Sequence, residues 1–132
     1  MKYLLDTDIC IYIIKRKPQV VIERFKTLAP SDVGISAITV AELEYGASKS
    51  QVPERNRAAV QQFLIPLEIM AFDDQATQDY GQLRSALEQQ GQVIGSLDML
   101  IAAQALSLNV TLVTNNTREF SRITNLRLEN WT

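Results

Sequence analysis

The sequence contains no histidine. This removes imidazole from any catalytic scheme. A His general base, a Ser/His or Cys/His nucleophile and the usual zinc sites are all excluded. Any chemistry must be carried by carboxylates, hydroxyls, amides and cations. Cysteine is almost as scarce: Cys10 stands alone, so no intramolecular disulfide can form, and a lone thiol fits a reducing compartment. It lies within Ile9-Cys10-Ile11 and reads as core, not as a nucleophile. No apolar run approaches the length needed to span a bilayer. Met1-Lys2 leads directly into a strand-like run, without the apolar stretch and cleavage site of a signal peptide. The expectation is a cytoplasmic protein. Positive charge is not in excess either: 13 Lys and Arg against 15 Asp and Glu give a net charge of -2. Proteins that coat duplex nucleic acid are strongly basic. A nucleic-acid enzyme with this balance needs a cation at its site, or a local basic patch.

What is present is ordinary for a globular protein. The 132 residues, 46% hydrophobic and 21% charged, suffice to bury a core without staples. With no repeat, low-complexity tract or linker, the expectation is one domain over residues 1–132.

Hydrophobic patterning predicts alternating elements. Tyr3-Leu4-Leu5 reads as a buried strand, and Asp8 as the N-cap of a helix over Ile9–Lys15. Pro18 opens a second helical stretch, with Val21, Ile22, Phe25 and Leu28 at helical spacing. Val33-Gly34-Ile35 is a second strand, followed by a helix over Ile38–Ala47. Pro53 starts a further helix that continues through Ala58–Leu64. Leu67–Phe72 resembles a third strand. A long amphipathic helix runs from Asp73 to about Gln90 and is closed by Gly91. Leu97–Leu108 is a helix with little polar surface, Val110–Val113 a fourth strand, Thr117–Arg122 a helical turn and Leu126–Leu128 a fifth strand. Strand and helix alternate throughout, which predicts an α/β fold: a three-layer α/β/α sandwich around a mostly parallel sheet of about five strands.

In such a sheet, ligands bind beyond the carboxyl ends of the strands. Asp6 follows the first strand directly and faces that crevice; a turn or cap role is its alternative. Glu42 lies on the helix after strand two, on the side of Ile38, Tyr45 and Gly46, where an acid is costly to bury unless paired or metal-bound. A half-exposed, solvated Glu is the alternative there. Asp98 is the first acid of a helix that is apolar nearly all round, and a helix N-terminus stabilises an anion. It could also be a plain cap, a role open to Ser96. After strand four, Thr114-Asn115-Asn116-Thr117 can orient a water or a phosphate, and Glu119 can add a fourth acid. Three or four acids in one crevice repel one another unless a hard divalent cation neutralises them. Such an ion also eases deprotonation of a bound water for in-line attack on phosphorus.

The run Leu5-Asp6-Thr7-Asp8-Ile9, then Ser36-Ala37-Ile38-Thr39-Val40-Ala41-Glu42-Leu43-Glu44-Tyr45-Gly46, then Ile94-Gly95-Ser96-Leu97-Asp98-Met99-Leu100-Ile101-Ala102, resembles the PIN-domain VapC toxins. The stretch Leu112-Val113-Thr114-Asn115-Asn116-Thr117-Arg118-Glu119-Phe120, with Glu129-Asn130-Trp131, is similar to the branch of that family found in enteric and related bacteria. The resemblance spans essentially the whole chain. It implies a PIN-like fold and an endoribonuclease using Mg²⁺, with Mn²⁺ as a substitute. It places Asp6, Glu42 and Asp98 on the family's acidic positions, with Asp6 and Asp98 the metal ligands. Many PIN domains carry a fourth acid where Asn116 stands, so Glu119 supplies that charge or the site works with three. The resemblance further implies a homodimer and a VapB-type antitoxin that pushes a side chain into the acidic pocket. The RNA it implies is tRNA, specifically initiator tRNA cut in the anticodon stem-loop. Lys15, Arg16, Lys49, Arg55, Arg84 and Arg118 are candidate phosphate contacts.

Other readings of the acids remain open. Asp6-Thr7-Asp8 after a strand also resembles the opening of haloacid-dehalogenase-type phosphatases, although Cys10 stands where that motif wants Thr or Val. A receiver-like phosphotransfer domain would use Asp73 after strand three, but no Lys follows strand four. A PIN-like fold can also serve as a non-catalytic binding module; the acids Asp6, Glu42 and Asp98 argue against that.

Overall fold

The structure is a computed structural model and describes residues 1–132. Its elements are β1 (Tyr3–Leu5), α1 (Thr7–Lys15), α2 (Gln19–Lys26), β2 (Val33–Ser36), α3 (Ala37–Ser48), α4 (Pro53–Leu64), β3 (Glu68–Met70), α5 (Asp74–Gln89), α6 (Ser96–Leu108), β4 (Thr111–Val113), α7 (Thr117–Phe120) and β5 (Leu128–Glu129). The five strands form one sheet in the order β3-β2-β1-β4-β5, and every pair is parallel. Parallel neighbours need long crossovers, and the helices supply them.

Alternation along the strands divides the apolar side chains between the two faces of the sheet. Leu4 and Leu112 join α5, α6 and α7 in one core, with Leu83, Leu87, Met99, Ile101 and Phe120. Leu5, Val33, Ile35 and Val113 join α1, α2, α3 and α4 in the other, with Ile9, Cys10, Val21, Leu43 and Val60. This is the predicted three-layer sandwich. Cys10 is fully buried, as expected of a core residue, and burial pushes its thiol pKa well up. No helix is long and apolar enough to cross a membrane.

The ends of the elements differ from the sequence reading in ways that bear on the site. Asp6, not Asp8, caps α1. Its backbone is extended (φ -72, ψ 162) and its side chain accepts from the Thr7 N–H. The helix therefore starts two residues earlier, at Thr7, and Asp8 falls in its first turn. Gly95 is the N-cap of α6, so Ser96 is the first helical residue and offers no cap. β1 has the bounds of its apolar run and β2 extends one residue beyond its run to Ser36, whereas β3 and β4 are shorter than the runs that mark them and β5 starts two residues later, at Leu128. Gly91 takes φ +66 just beyond α5, a conformation that favours glycine at a helix end.

One buried polar link joins the layers. The Ser36 hydroxyl, at the end of β2, donates to Gln104 Oε1 on α6 (2.7 Å), and Gln104 Nε2 donates to the Ala71 carbonyl beyond β3 (3.0 Å). Ser36 Oγ also accepts from the Ile38 N–H (3.1 Å), capping α3. Gln104 is 1% exposed and Ser36 fully buried, so neither can turn to water. The link fixes α6, which carries Asp98, against the β2–α3 corner, which leads to Glu42. Gln104→Leu leaves the Ser36 hydroxyl and the Ala71 carbonyl without this partner. Its expected cost is about 1–3 kcal/mol in urea unfolding. Adding Ser36→Ala to it should cost less than the sum of the two single changes, because the two residues share one interaction. Strict additivity would show the link to be energetically idle.

Candidate active site

β1 is the point where the sheet changes direction: β2 lies on one side and β4 on the other. Ligands of open α/β sheets bind at such switch points, beyond the carboxyl ends of the strands. Asp6 stands there, 5% exposed, with its N–H still donating to the Val113 carbonyl at 2.9 Å. Its carboxylate is held from two directions. Oδ1 accepts from the Thr7 N–H (2.8 Å), and Oδ2 accepts from the Thr114 hydroxyl beyond β4 (2.8 Å).

The other acids gather around it. Glu42, on α3, accepts at Oε1 from the Thr7 hydroxyl (2.7 Å), so Thr7 ties Asp6 to Glu42 through its N–H and its side chain. Asp98 sits in the first turn of α6, half-buried, and no protein donor engages its carboxylate. A Cβ built on Gly95 would come within 3.6 Å of Asp98 Oδ2, so the carboxylate leans back over the N-terminus of its own helix. Asn116 Nδ2 donates to Glu119 Oε2 (3.1 Å), and the Asn116 N–H donates to Thr114 Oγ1 (2.9 Å). Of the five sequence-chosen residues, Asp6, Glu42, Asn116 and Glu119 are linked by hydrogen bonds through Thr7 and Thr114, and Asp98 joins them at the same end of the sheet through charge alone, within reach of Glu42 and Glu119. Asp73, the receiver-like candidate, is outside it and caps α5 by accepting from the Ala76 N–H.

Electrostatics reports the crowding. Burial, and next the charge of Asp8, push the Asp6 carboxyl up to about 7; its hydrogen bonds from Thr114 and Thr7 work in the opposite sense. Asp98 is pushed up to about 6, first by burial and then by Glu42, Glu119 and Asp8. Asp8 itself is raised, chiefly by burial. It is an acid of this cluster that the sequence reading spent on helix capping. Its Oδ1 accepts from the Ile9 N–H (2.7 Å) and its Oδ2 from the Asn115 N–H (3.0 Å). The Thr7 and Thr114 hydroxyls were missed as specific partners too. Thr114 was noted only as one of several polar residues in its turn.

The donor set suits a hard divalent cation. It is all oxygen, and two of its carboxyls, Asp6 and Asp98, are pushed up to about 7 and about 6, first by burial and then by neighbouring acids. No three acids close into a tight cage. That fits an ion that keeps several waters and takes only one or two protein carboxylates, as magnesium does. Among the candidate basic residues, Lys15 lines a groove of about 330 Å³ together with Glu42. Lys49 lies over the Tyr45 ring at 4.8 Å, on the same helix as Glu42. Arg84 is engaged on α5 by Tyr80 and Glu88, away from the acids.

The raised Asp6 pKa fixes a sign for stability against pH. The folded chain holds this proton to about pH 7, whereas the unfolded chain releases it near the ordinary value of 3.8. Between those values the folded state binds more protons, so the metal-free protein should lose stability as pH rises from about 4 through 7, and then level off. Asp6→Asn removes the Asp6 share of this dependence and leaves the smaller shares of Asp98 and Asp8. In metal-free buffer it should melt higher than the wild type at pH 8, with the gap closing at pH 4. Equal gaps at both pH values would contradict the assignment.

The chain matches the PIN domain family over residues 3–126. It is 48% identical over 132 residues to Ribonuclease VapC2 of Rickettsia felis, covering 99% of this chain and 98% of that one. It is 46% identical over 131 residues to the tRNA(fMet)-specific endonuclease VapC of Shigella flexneri, with 99% and 98% covered. Among solved structures, VapBC2 from Rickettsia felis bound to a promoter DNA fragment contains a chain of the same fold, with a TM-score of 0.94, 47% identity and full coverage of both chains. DNA-bound VapBC from Salmonella typhimurium gives a TM-score of 0.95 at 45% identity, covering 100% of this chain and 99% of that one. The parallel sheet, the acids at its switch point and these likenesses together mean that the chain belongs to the PIN-domain family, in its VapC branch.

Proposed function

We propose that this chain is a divalent-cation-dependent endoribonuclease, the toxin half of a toxin–antitoxin pair, acting on tRNA. The observation that carries the reading is the convergence of Asp6, Glu42 and Asp98 at the switch point, with Asp6 and Asp98 each pushed up first by burial and then by neighbouring carboxylates. Relatives named as ribonucleases and as tRNA(fMet)-specific endonucleases, alike along nearly the whole chain, support the substrate class. Initiator tRNA is the substrate we favour on that ground. The VapBC structures support a VapB-type antitoxin as partner.

In this reading Asp6 and Asp98 would hold Mg²⁺, with Mn²⁺ able to replace it. Such an ion would supply a counter-charge to the acids, Lewis-acid polarisation of the phosphodiester and easier deprotonation of water. The residues of the chain do the rest. Thr114 and the Thr7 N–H fix the Asp6 carboxylate before substrate arrives. Thr7 holds Glu42 by Oε1, which leaves Oε2 free to accept a proton from the attacking water. As the water oxygen bonds to phosphorus, the P–O bond to one ester oxygen breaks, and that oxygen leaves as a hydroxyl on taking a proton from solvent. Asn116 orients Glu119 at the rim, where it would add a further negative charge facing a bound cation. Lys15 shares a groove with Glu42 and offsets part of the repulsion between an acidic pocket and an RNA backbone. The chain acts as a homodimer in this reading, which the solution mass of the partner-free protein tests.

The decisive experiment incubates the partner-free chain with total tRNA in Mg²⁺ or Mn²⁺, with EDTA as control. Wild type should give discrete fragments that EDTA abolishes. Asp6→Asn and Asp98→Asn should each lose at least about 100-fold in cleavage rate, beyond the usual cost of losing an outer partner of a metal site. Intact tRNA from a folded wild-type protein in both metals would sink the tRNase reading. Cleavage that survives EDTA would sink the role given to the cation.

A further inference from the structure

The turn after β4 is fixed from both sides by one residue. Asn115 is exposed, yet four hydrogen bonds converge on it. Its N–H donates to Asp8 Oδ2 (3.0 Å) and its Nδ2 donates to the Tyr12 hydroxyl (3.1 Å), both on α1. Its Oδ1 accepts from Asn130 Nδ2 (3.1 Å) and from the Thr132 hydroxyl (3.2 Å), both beyond β5. The segment beyond β5 is itself anchored. Trp131 is 5% exposed and meets the Tyr3 ring edge-on, with centroids 5.7 Å apart and planes at 73°. The Arg24 guanidinium lies 5.7 Å from the Trp131 ring.

Of these bonds only the one to Asp8 touches the acid cluster, but the flanking residues reach further into it. Thr114 gives its hydroxyl to Asp6, and Asn116 gives its amide to Glu119. We propose that Asn115 is a positioning residue of the acidic site: by clipping the β4–α7 turn to α1 and to the segment beyond β5, it holds the Thr114 hydroxyl on Asp6. The proposal rests on the reading of Asp6 as a holder of the divalent cation. Water competes for any single exposed hydrogen bond. Four bonds on one residue, from two separately anchored elements, restrict a turn far more than their number taken singly. The geometry also gives Asp8 its place. Both its oxygens already accept backbone N–H groups, so it serves as the α1 side of the clip.

Mn²⁺ titration of the partner-free chain, read from the electron paramagnetic resonance of the free ion, tests the proposal without RNA. Asn115→Ala should weaken Mn²⁺ binding about tenfold, within the range for outer partners of a metal ligand. Tyr12→Phe should act in the same direction by less. In the Thr114→Val background, Asn115→Ala should add less than about twofold, because the hydroxyl it positions is gone. The melting temperature of Asn115→Ala should stay close to that of wild type, since the side chain is exposed. Unchanged Mn²⁺ affinity in Asn115→Ala, or an equal loss with and without Thr114→Val, would overturn the proposal. A wild type that binds no Mn²⁺ would overturn it together with the cation reading. A wild type that binds Mn²⁺ but leaves tRNA intact would count against the nuclease reading alone.

Discussion

The burial of several carboxylates side by side is the constraint on which this molecule turns. Bringing Asp6, Asp8, Glu42 and Asp98 to one end of a sheet costs stability in the absence of a counter-ion: Asp6 and Asp98 are pushed up first by burial and then by the charges of neighbouring acids. The fold bears that cost because the two cores on either side of the sheet leave these side chains no freedom to separate. Full burial of a residue such as Met99 or Ile101 contributes about 1.5–3 kcal/mol, and α6, which holds both, also delivers Asp98. The strain at the site and the strength of the core therefore share the same helix.

The polar residues around the acids have a common character. Thr7, Thr114 and Asn116 are uncharged donors, and each fixes a carboxylate or another donor without neutralising it. A lysine or arginine in their place would lower the pKa values and fill the site with a tethered cation. Hydroxyls and amides keep the charge available for a mobile one. The absence of histidine is consistent with this division of labour, since no protein group in the cluster serves as a cationic acid.

Much of this was legible in the sequence, and the limits were physical. Asp6 and Asp98 were readable because each follows or opens a strongly apolar segment, so their position near the crevice followed from periodicity. The sheet order was legible only as a class, since alternation of elements names parallel pairing but not which strand lies beside which. Asp8 was misread as a cap because two acids two residues apart compete for that role, and only the backbone angle at Asp6 decides between them. Thr114 and Thr7 were invisible as partners. Their bonds join residues 108 and 35 positions apart, a separation that no local pattern encodes. The Gln104 link to Ser36, 68 positions away, was hidden for the same reason inside an apolar helix.

The pairing of β1 with β4 sets when the acidic cluster can assemble. Asp6 and the hydroxyl that orients it lie 108 positions apart. Non-local contacts of this kind form late, after the intervening chain has closed its loops. A chain that has not yet paired β4 with β1 lacks this second hold on the Asp6 carboxylate. Completion of the sheet and assembly of the acids are therefore a single folding event.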